Sequence, residues 1–275
     1  MVMEGSIDRE ERLYRYDGEY KVRLSTEIWE ELQKVETPPA YRTGFPTLDS
    51  AVGGVVPGEL IIVSGWTGHG KTSFLRSVTK SLIGQDILPL WFQFEEPYRQ
   101  FLEKFQGIDG GVPVFALPER VKQHSVDWVE ERIEEGRIKW GVKAVIIDHL
   151  HRLLDSRMRR KAILEAGSNN ISTFVGANVM AIKQLALRFN MPIFLVAHTG
   201  KPNPSDSKDK LDLGSVRDSS FIEQEADLVL YVWRGSSEGS GNLKVAKDRK
   251  NGVAGLVVKM IHDRETKTFR EADYQ

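Results

Sequence analysis

Apolar residues along this chain gather in short runs: Leu60 to Val63, Leu90 to Phe94, Ala144 to Ile147, Pro192 to Ala197, Leu228 to Val232, Leu243 to Ala246 and Leu256 to Ile261. A strand with one wet face alternates apolar and polar positions, whereas an unbroken run of this length suits a strand covered on both faces. Helical segments separate the runs. The pattern therefore predicts an α/β domain built on a mainly parallel sheet with helices on both faces. The longest helix expected runs from about Ala177 to Phe189, with Val179, Ile182, Leu185 and Ala186 turned inward. Residues 1–40 differ from the rest. They carry mixed charge, an Asp17-Gly18 hairpin signal, a short helix with Ser25 as N-cap and Leu24 and Trp29 as a staple, and the Pro38-Pro39 break. In that helix Ile28, Leu32 and Val35 form an apolar stripe that packs either on its own core or on a neighbouring subunit. The chain thus divides into an N-terminal segment, 1–40, and a main domain, 41–275. Two polar, basic stretches, Ser156 to Lys161 and Gly200 to Arg217, have the length of functional loops.

Composition narrows the class. With 275 residues the chain can bury a sizeable core. Lys and Arg number 38 against 39 Asp and Glu, so affinity for nucleic acid must come from local basic loops and not from overall charge. The absence of cysteine removes disulfides, cysteine-based zinc clusters and thiol nucleophiles together, and suits a reducing compartment. No run approaches the roughly 18 apolar residues that span a membrane, and no secretory pattern opens the chain. These features predict a soluble, intracellular protein.

Chemistry enters at Gly65-Trp66-Thr67-Gly68-His69-Gly70-Lys71-Thr72, which fills every fixed position of the phosphate-loop pattern G-x-x-x-x-G-K-[ST]. A buried strand precedes it and a helix follows, so backbone N–H groups and the helix N-terminus converge on bound phosphates. We take Gly65, Thr67, Gly68, His69, Gly70, Lys71, Thr72 and Ser73 as nucleotide-binding, with Lys71 on the β- and γ-phosphates and Thr72 on Mg²⁺. Phosphoryl transfer also needs an acid near the metal and a group that orients water. Asp148 ends the strand Ala144 to Ile147 and meets the first need. Glu95 and Glu96 follow another strand end, and one of them is the water-orienting base while the other is a solvated surface charge. His198 ends a third strand, either as a structural residue or as a group that feels the γ-phosphate. His149 and His151 match no zinc spacing and read as loop and packing residues.

In this order the elements resemble the RecA-like motor domain of the DnaB family of replicative helicases, which includes phage primase-helicases and the mitochondrial helicase Twinkle. The resemblance covers roughly residues 41 to 270. It begins with Thr43-Gly44-Phe45-Pro46-Thr47-Leu48-Asp49, then Gly53-Gly54 and Pro57-Gly58-Glu59-Leu60. It implies that Glu95 is the catalytic glutamate, that Asp148-His149-Leu150 is the phage-type ending of the metal strand, and that His198 senses the γ-phosphate. Gly214 to Ser220 resembles the pore loop that grips single-stranded DNA, although the family's glycine near Ser220 is missing. Arg217, Asp218 and Ser219, with Lys201 and Arg157 in the basic loops, are the DNA-binding residues this implies. Lys247-Asp248-Arg249 resembles the family's Lys-x-Arg element, making Arg249 a finger that enters the neighbouring subunit's site and Lys247 its companion. Arg234 corresponds to a position near the base or ribose.

The implied activity is that of a hexameric ring driven by ATP or a dNTP with Mg²⁺. It would translocate on single-stranded DNA and unwind duplex during replication, with a primase and other replisome components as possible partners. The rival from another class is a nucleotide-switched RecA-like assembly or recombination-mediator ATPase that unwinds nothing. Hydrolysis that responds to single-stranded DNA separates the two.

Overall fold

The computed structural model describes residues 4–18, 20–35, 39–108, 110–120, 125–153, 170–198 and 219–272. Contacts divide the chain into Met1–Pro39 and Ala40–Gln275. The first unit holds α1 (Glu4–Tyr14) and α2 (Ser25–Leu32). Arg23 clamps Glu31 through two hydrogen bonds of 2.7 Å, and α2 buries no residue. Its stripe is exposed at Ile28, Leu32 and Val35.

Two local expectations for this unit are corrected. Leu24, not Ser25, occupies the N-cap, and no side chain caps the helix; Leu24 and Trp29 are both exposed. No strand flanks Asp17-Gly18 among the described residues, because a helix rich in Glu and Arg precedes it and no alternating apolar pattern follows. Asp17 instead accepts a hydrogen bond from Lys21.

In the second unit the apolar runs become strands of one sheet: β1 (Leu60–Gly65), β2 (Pro89–Gln93), β3 (Ala144–Asp148), β4 (Ile193–His198), β5 (Leu228–Arg234), β6 (Ser240–Asp248), β7 (Val257–His262) and β8 (Phe269–Glu271). Their spatial order is β2-β3-β4-β1-β5-β6-β7-β8. Pairing is parallel from β2 through β5 and antiparallel from β5 to β8. Of these strands only β8, three residues long, has no apolar run to announce it.

Helices cover both faces from β2 through β5, whose strands are buried almost throughout, whereas β6 and β7 alternate buried and more exposed positions, the pattern of antiparallel strands covered on one face. One face meets α3 (Pro46–Val52), α4 (Lys71–Ile83) and α5 (Tyr98–Glu103), with Ile61, Val63, Trp91, Ile146, Phe194 and Val196 pointing into that core. The other meets α6 (Val126–Trp140), α7 (Leu150–Leu153), α8 (Asn170–Phe189) and α9 (Ser219–Glu225), against Leu60, Ile62, Phe92, Ile147, Leu195 and Tyr231. The α8 helix begins at Asn170, ahead of the expected Ala177. A buried hydrogen bond of 2.9 Å from Trp91 Nε1 to Thr79 Oγ1 joins β2 to α4. Asp49 gathers the leading motif by accepting from the backbone N–H and hydroxyl of Thr43 and from the N–H of Gly44.

The helix after β1, α4, lies on one face, and the next described helix after its neighbour β4, α9, lies on the other. A crevice opens at the carboxyl edge of an open α/β sheet where connections diverge in this way. The phosphate loop lies there.

Candidate functional site

The loop's shape is set by glycines that no other residue could replace. A Cβ on Gly65 would sit 2.1 Å from the Val232 carbonyl oxygen, since β5 runs alongside. Gly70, at φ +96°, caps α4, and a Cβ there would strike the Phe269 ring at 2.7 Å. The N-terminus of α4, thirteen residues long, therefore opens into the crevice with its first N–H groups facing outward. Lys71 is buried, and its ammonium donates to the carbonyls of Gly65 at 2.8 Å and Trp66 at 3.0 Å. Burial pushes its pKa down to about 8, with Asp148 and then Glu95 opposing the fall.

Adjacent parallel strands deliver the remaining groups to the same edge. Asp148 ends β3 opposite Gln93 of β2, and His198 ends β4 opposite Gly65 of β1. Thr72 Oγ1 donates to Asp148 Oδ2 at 2.8 Å, and burial pushes the Asp148 carboxyl up against the pull of that bond. The turn after β2 is built by Gln93, whose Oε1 accepts from the N–H of Glu95 at 2.6 Å and of Glu96 at 3.0 Å. Glu95 Oε1 then lies 2.7 Å from His149 Nδ1 and 4.0 Å from His198 Nε2. The His149 hydrogen bond, followed by the charges of His149, His198 and Lys71, holds the Glu95 carboxyl below its ordinary range despite some burial. The two imidazoles meet edge to face with centroids 4.3 Å apart.

Lys71, Thr72, Gln93, Glu95, Asp148 and His198 line a cleft of about 980 Å³ that also takes in Thr67, Gly68, His69, Ser73, Arg234 and Phe269; the buried His149 does not line it. The backbone N–H of Arg234 donates to His69 Nδ1 at 3.2 Å, so those two expected nucleotide contacts are neighbours. Lys247 and Arg249 do not line it. Lys247 Nζ donates to the carbonyls of Glu223 at 2.6 Å and Gln224 at 3.2 Å. Arg249 reaches Gln224 O at 2.6 Å and Asp227 Oδ1 at 3.3 Å. Lys247 is thus not a nucleotide contact within its own chain. Asp227 also binds Lys183 Nζ at 2.6 Å and accepts from the Leu60 N–H at 2.8 Å. Arg157, Lys201, Arg217 and Asp218 lie outside the described residues, and Ser219 is the first residue of α9.

Three residues take a place at the site that the sequence does not announce. His149 is a buried packing residue, as expected, but the group it packs against is the Glu95 carboxylate. Gln93 is the penultimate side chain before the acid pair, recognisable only once its turn is seen. Arg76 is buried beneath the cleft, donating to Ser73 Oγ at 2.9 Å and Lys267 O at 2.6 Å, and burial lowers its pKa to about 10. Glu96 is corrected as well. It is largely buried in an ion pair with Lys104 at 2.5 Å and is not a solvated surface charge.

A phosphate loop at the diverging edge of a mainly parallel sheet, extended by antiparallel strands beyond β5, defines a RecA-like P-loop domain. The family model for the DnaB-like helicase C terminal domain matches residues 40–139 and 117–271, and the chain belongs to that family. The replicative DNA helicase DnaB of Leifsonia xyli subsp. xyli (strain CTCB07) is 26% identical over 259 residues, covering 84% of this chain and 53% of that protein. The chloroplastic and mitochondrial Twinkle homolog of Arabidopsis thaliana is 23% identical over 266 residues, covering 84% of this chain and 36% of its own length. The chain spans about half the length of the DnaB proteins it matches. A solved DnaB-like replicative helicase, described with its interactions with primase, superposes with a TM-score of 0.72 at 15% identity over 99% of this chain and 72% of that one. A second solved structure, an ATPase domain, gives 0.70 at 17% identity over 90% of this chain and 97% of its own. Among the described residues no helix is long and apolar enough to cross a membrane.

Proposed function

We propose that this chain is the motor domain of a ring-forming replicative helicase that couples hydrolysis of ATP, or of a dNTP, to movement along single-stranded DNA. The observation that carries the reading is the division of the chemistry. Lys71, Thr72, Asp148, Glu95 and His198 share one cleft, while Arg249 points elsewhere on the same chain, as a finger meant for a neighbour's site would.

The donor set fits a magnesium nucleotide. Thr72 and Asp148 offer two hard oxygens 2.8 Å apart, and the buried Asp148 carboxylate lacks a full counter-charge of its own. Mg²⁺ and the triphosphate supply the scissile phosphoanhydride and part of the neutralising charge. The protein supplies position. Lys71 exchanges its bonds to the Gly65 and Trp66 carbonyls for phosphate oxygens, so its buried ammonium stays satisfied. Glu95, ionised and fixed by Gln93 and His149, accepts a proton from water held beside it. His198, within 4.0 Å of Glu95, links that base to the phosphate end of the site. Arg249 from the adjoining subunit stabilises charge in the transition state. Arg217, Asp218 and Ser219, with Lys201 and Arg157, hold the backbone of the strand in the pore and give affinity without base reading. A site shared between subunits calls for a ring of identical chains, and a homo-hexamer is the size proposed. A replicative role places the protein in a bacterial or phage-infected cytoplasm, or in an organelle, with a primase as a candidate partner.

The test is hydrolysis with and without single-stranded DNA, beside sedimentation with and without nucleotide. Stimulated hydrolysis by a nucleotide-dependent ring supports the motor. Hydrolysis indifferent to DNA in an assembled ring overturns it in favour of the nucleotide-switched assembly protein.

A further inference from the structure

The geometry points to a transition-metal site formed by Glu95, His149 and His198, at which Zn²⁺ binds and shuts off hydrolysis. One ligand atom from each residue lies within 4.8 Å of the other two. Zinc takes imidazole nitrogen and carboxylate oxygen at about 2.0–2.2 Å, so three atoms this close need only small rotations about their side-chain bonds to share one ion. The supports are rigid, since the residues follow or end β2, β3 and β4, which are mutually hydrogen-bonded. His149 Nδ1 and His198 Nε2 both already face the same carboxylate oxygen. The ion would take the place of the proton between His149 Nδ1 and Glu95 Oε1. That nitrogen presents its lone pair to the metal, and its proton passes to Nε2 or to solvent.

Ligand chemistry separates this site from the magnesium position. Thr72 and Asp148 offer only oxygen, whereas two imidazoles and one carboxylate favour Zn²⁺, Co²⁺ or Ni²⁺ over Mg²⁺. Three protein ligands leave a coordination position open toward the cleft, where the Glu95 side chain is 46% exposed. With its carboxylate engaged, Glu95 can no longer accept a proton. This inhibitory consequence rests on the role proposed for Glu95 above; binding of the metal does not.

Binding is therefore read first and without nucleotide. The full chain is titrated with Co²⁺, whose d–d bands report four-coordinate nitrogen and oxygen ligation unobscured by thiolate, because the chain has no cysteine. One Co²⁺ per chain is expected, displaced by Zn²⁺ and not by Mg²⁺. Glu95→Gln, His149→Asn and His198→Gln should each weaken binding at least about tenfold, as loss of one of three protein ligands does. Asp148→Asn should weaken it less than the loss of any of these three ligands, and His262→Ala should leave it unchanged. Melting curves identify any variant that fails to fold, and Glu95→Gln, which keeps size and shape, decides the matter if His149→Asn does. Absence of a one-to-one complex, equal binding by Glu95→Gln and His198→Gln, or a loss confined to Asp148→Asn would each overturn the site. If Co²⁺ binds as expected, Zn²⁺ at one equivalent under excess Mg²⁺ should cut hydrolysis at least about tenfold. Binding without inhibition would leave the metal site standing and refute the role of Glu95 as base.

Discussion

Replacing Arg249 with alanine separates a catalytic cost from a structural one, because the two differ by several kcal/mol. In its own chain the guanidinium is about half exposed, with a 3.3 Å contact to Asp227 and a hydrogen bond to Gln224 O. Asp227 loses little when Arg249 goes. It keeps Lys183 and the Leu60 N–H, so no unpaired charge is left buried, and the Gln224 carbonyl keeps its bond from Lys247. An exposed pair of this kind is worth about 1 kcal/mol or less. For a domain of this size the melting temperature should fall by no more than about 2–4 °C. An arginine that stabilises phosphoryl transfer from a neighbouring subunit is worth about a thousandfold in turnover, or about 4 kcal/mol. Nucleotide binding should survive, since Arg249 does not line its own cleft. The assay is hydrolysis at saturating nucleotide, followed by mixing with Lys71→Ala under conditions that exchange subunits. An Arg249→Ala chain offers an intact Lys71, and the Lys71→Ala chain offers an intact Arg249, so some interfaces of a mixed ring regain both. Partial recovery is expected from two inactive proteins. Demonstrated exchange without recovery, or an Arg249→Ala protein with near-normal turnover, refutes a trans-acting arginine.

Glu95→Gln should still bind nucleotide while turnover falls at least about a hundredfold, measured by equilibrium binding beside steady-state hydrolysis; near-normal turnover would move the base elsewhere. Because burial depresses the Lys71 ammonium to about 8, the affinity it contributes should be fully present below that pH and decline above it, by at most about tenfold per pH unit. Binding of a non-hydrolysable triphosphate between about pH 7 and 9 checks this, and Lys71→Arg should flatten the profile. Gly65→Ala should prevent stable folding, at a cost of more than about 4 kcal/mol, because the added methyl meets a β5 carbonyl that cannot move without unzipping β1 from β5; a normal melting curve would contradict the packing. Removing residues 1–37 should weaken assembly at unchanged core melting temperature, since α2 buries nothing within its unit, and sedimentation at matched concentration shows which property changes.

The strands buried on both faces are legible because each is a continuous apolar run that has no other use in a chain of this composition. The phosphate loop is legible because its glycines, lysine and threonine are demanded by backbone geometry at fixed spacing. The α6 helix is not. Its apolar positions, Trp128, Val129 and Ile133, are few among Glu and Arg, and its clearest marker is Ser125, which accepts from the Trp128 N–H. For the same reason β8 stays hidden: three residues cannot show a period. His149 escapes any reading of metal spacing along the chain, because its partners lie at the ends of neighbouring strands. Likewise the partner of Glu96, Lys104, lies eight residues on, at the far end of α5, a spacing that sequence periodicity does not reveal.

Lys247 and Arg249 both hang from the last carbonyls of α9, where the negative end of the helix dipole favours cations. That helix is seven residues, roughly 10 Å, long and carries no kink-forming residue, so it travels as one piece. Its first two residues, Ser219 and Ser220, are the last two of the stretch that resembles the pore loop. A displacement of its first residue would reach the carbonyls that hold the two cations little more than one turn away. On the function proposed above, strand grip and arginine placement would then be two ends of a single short pushrod.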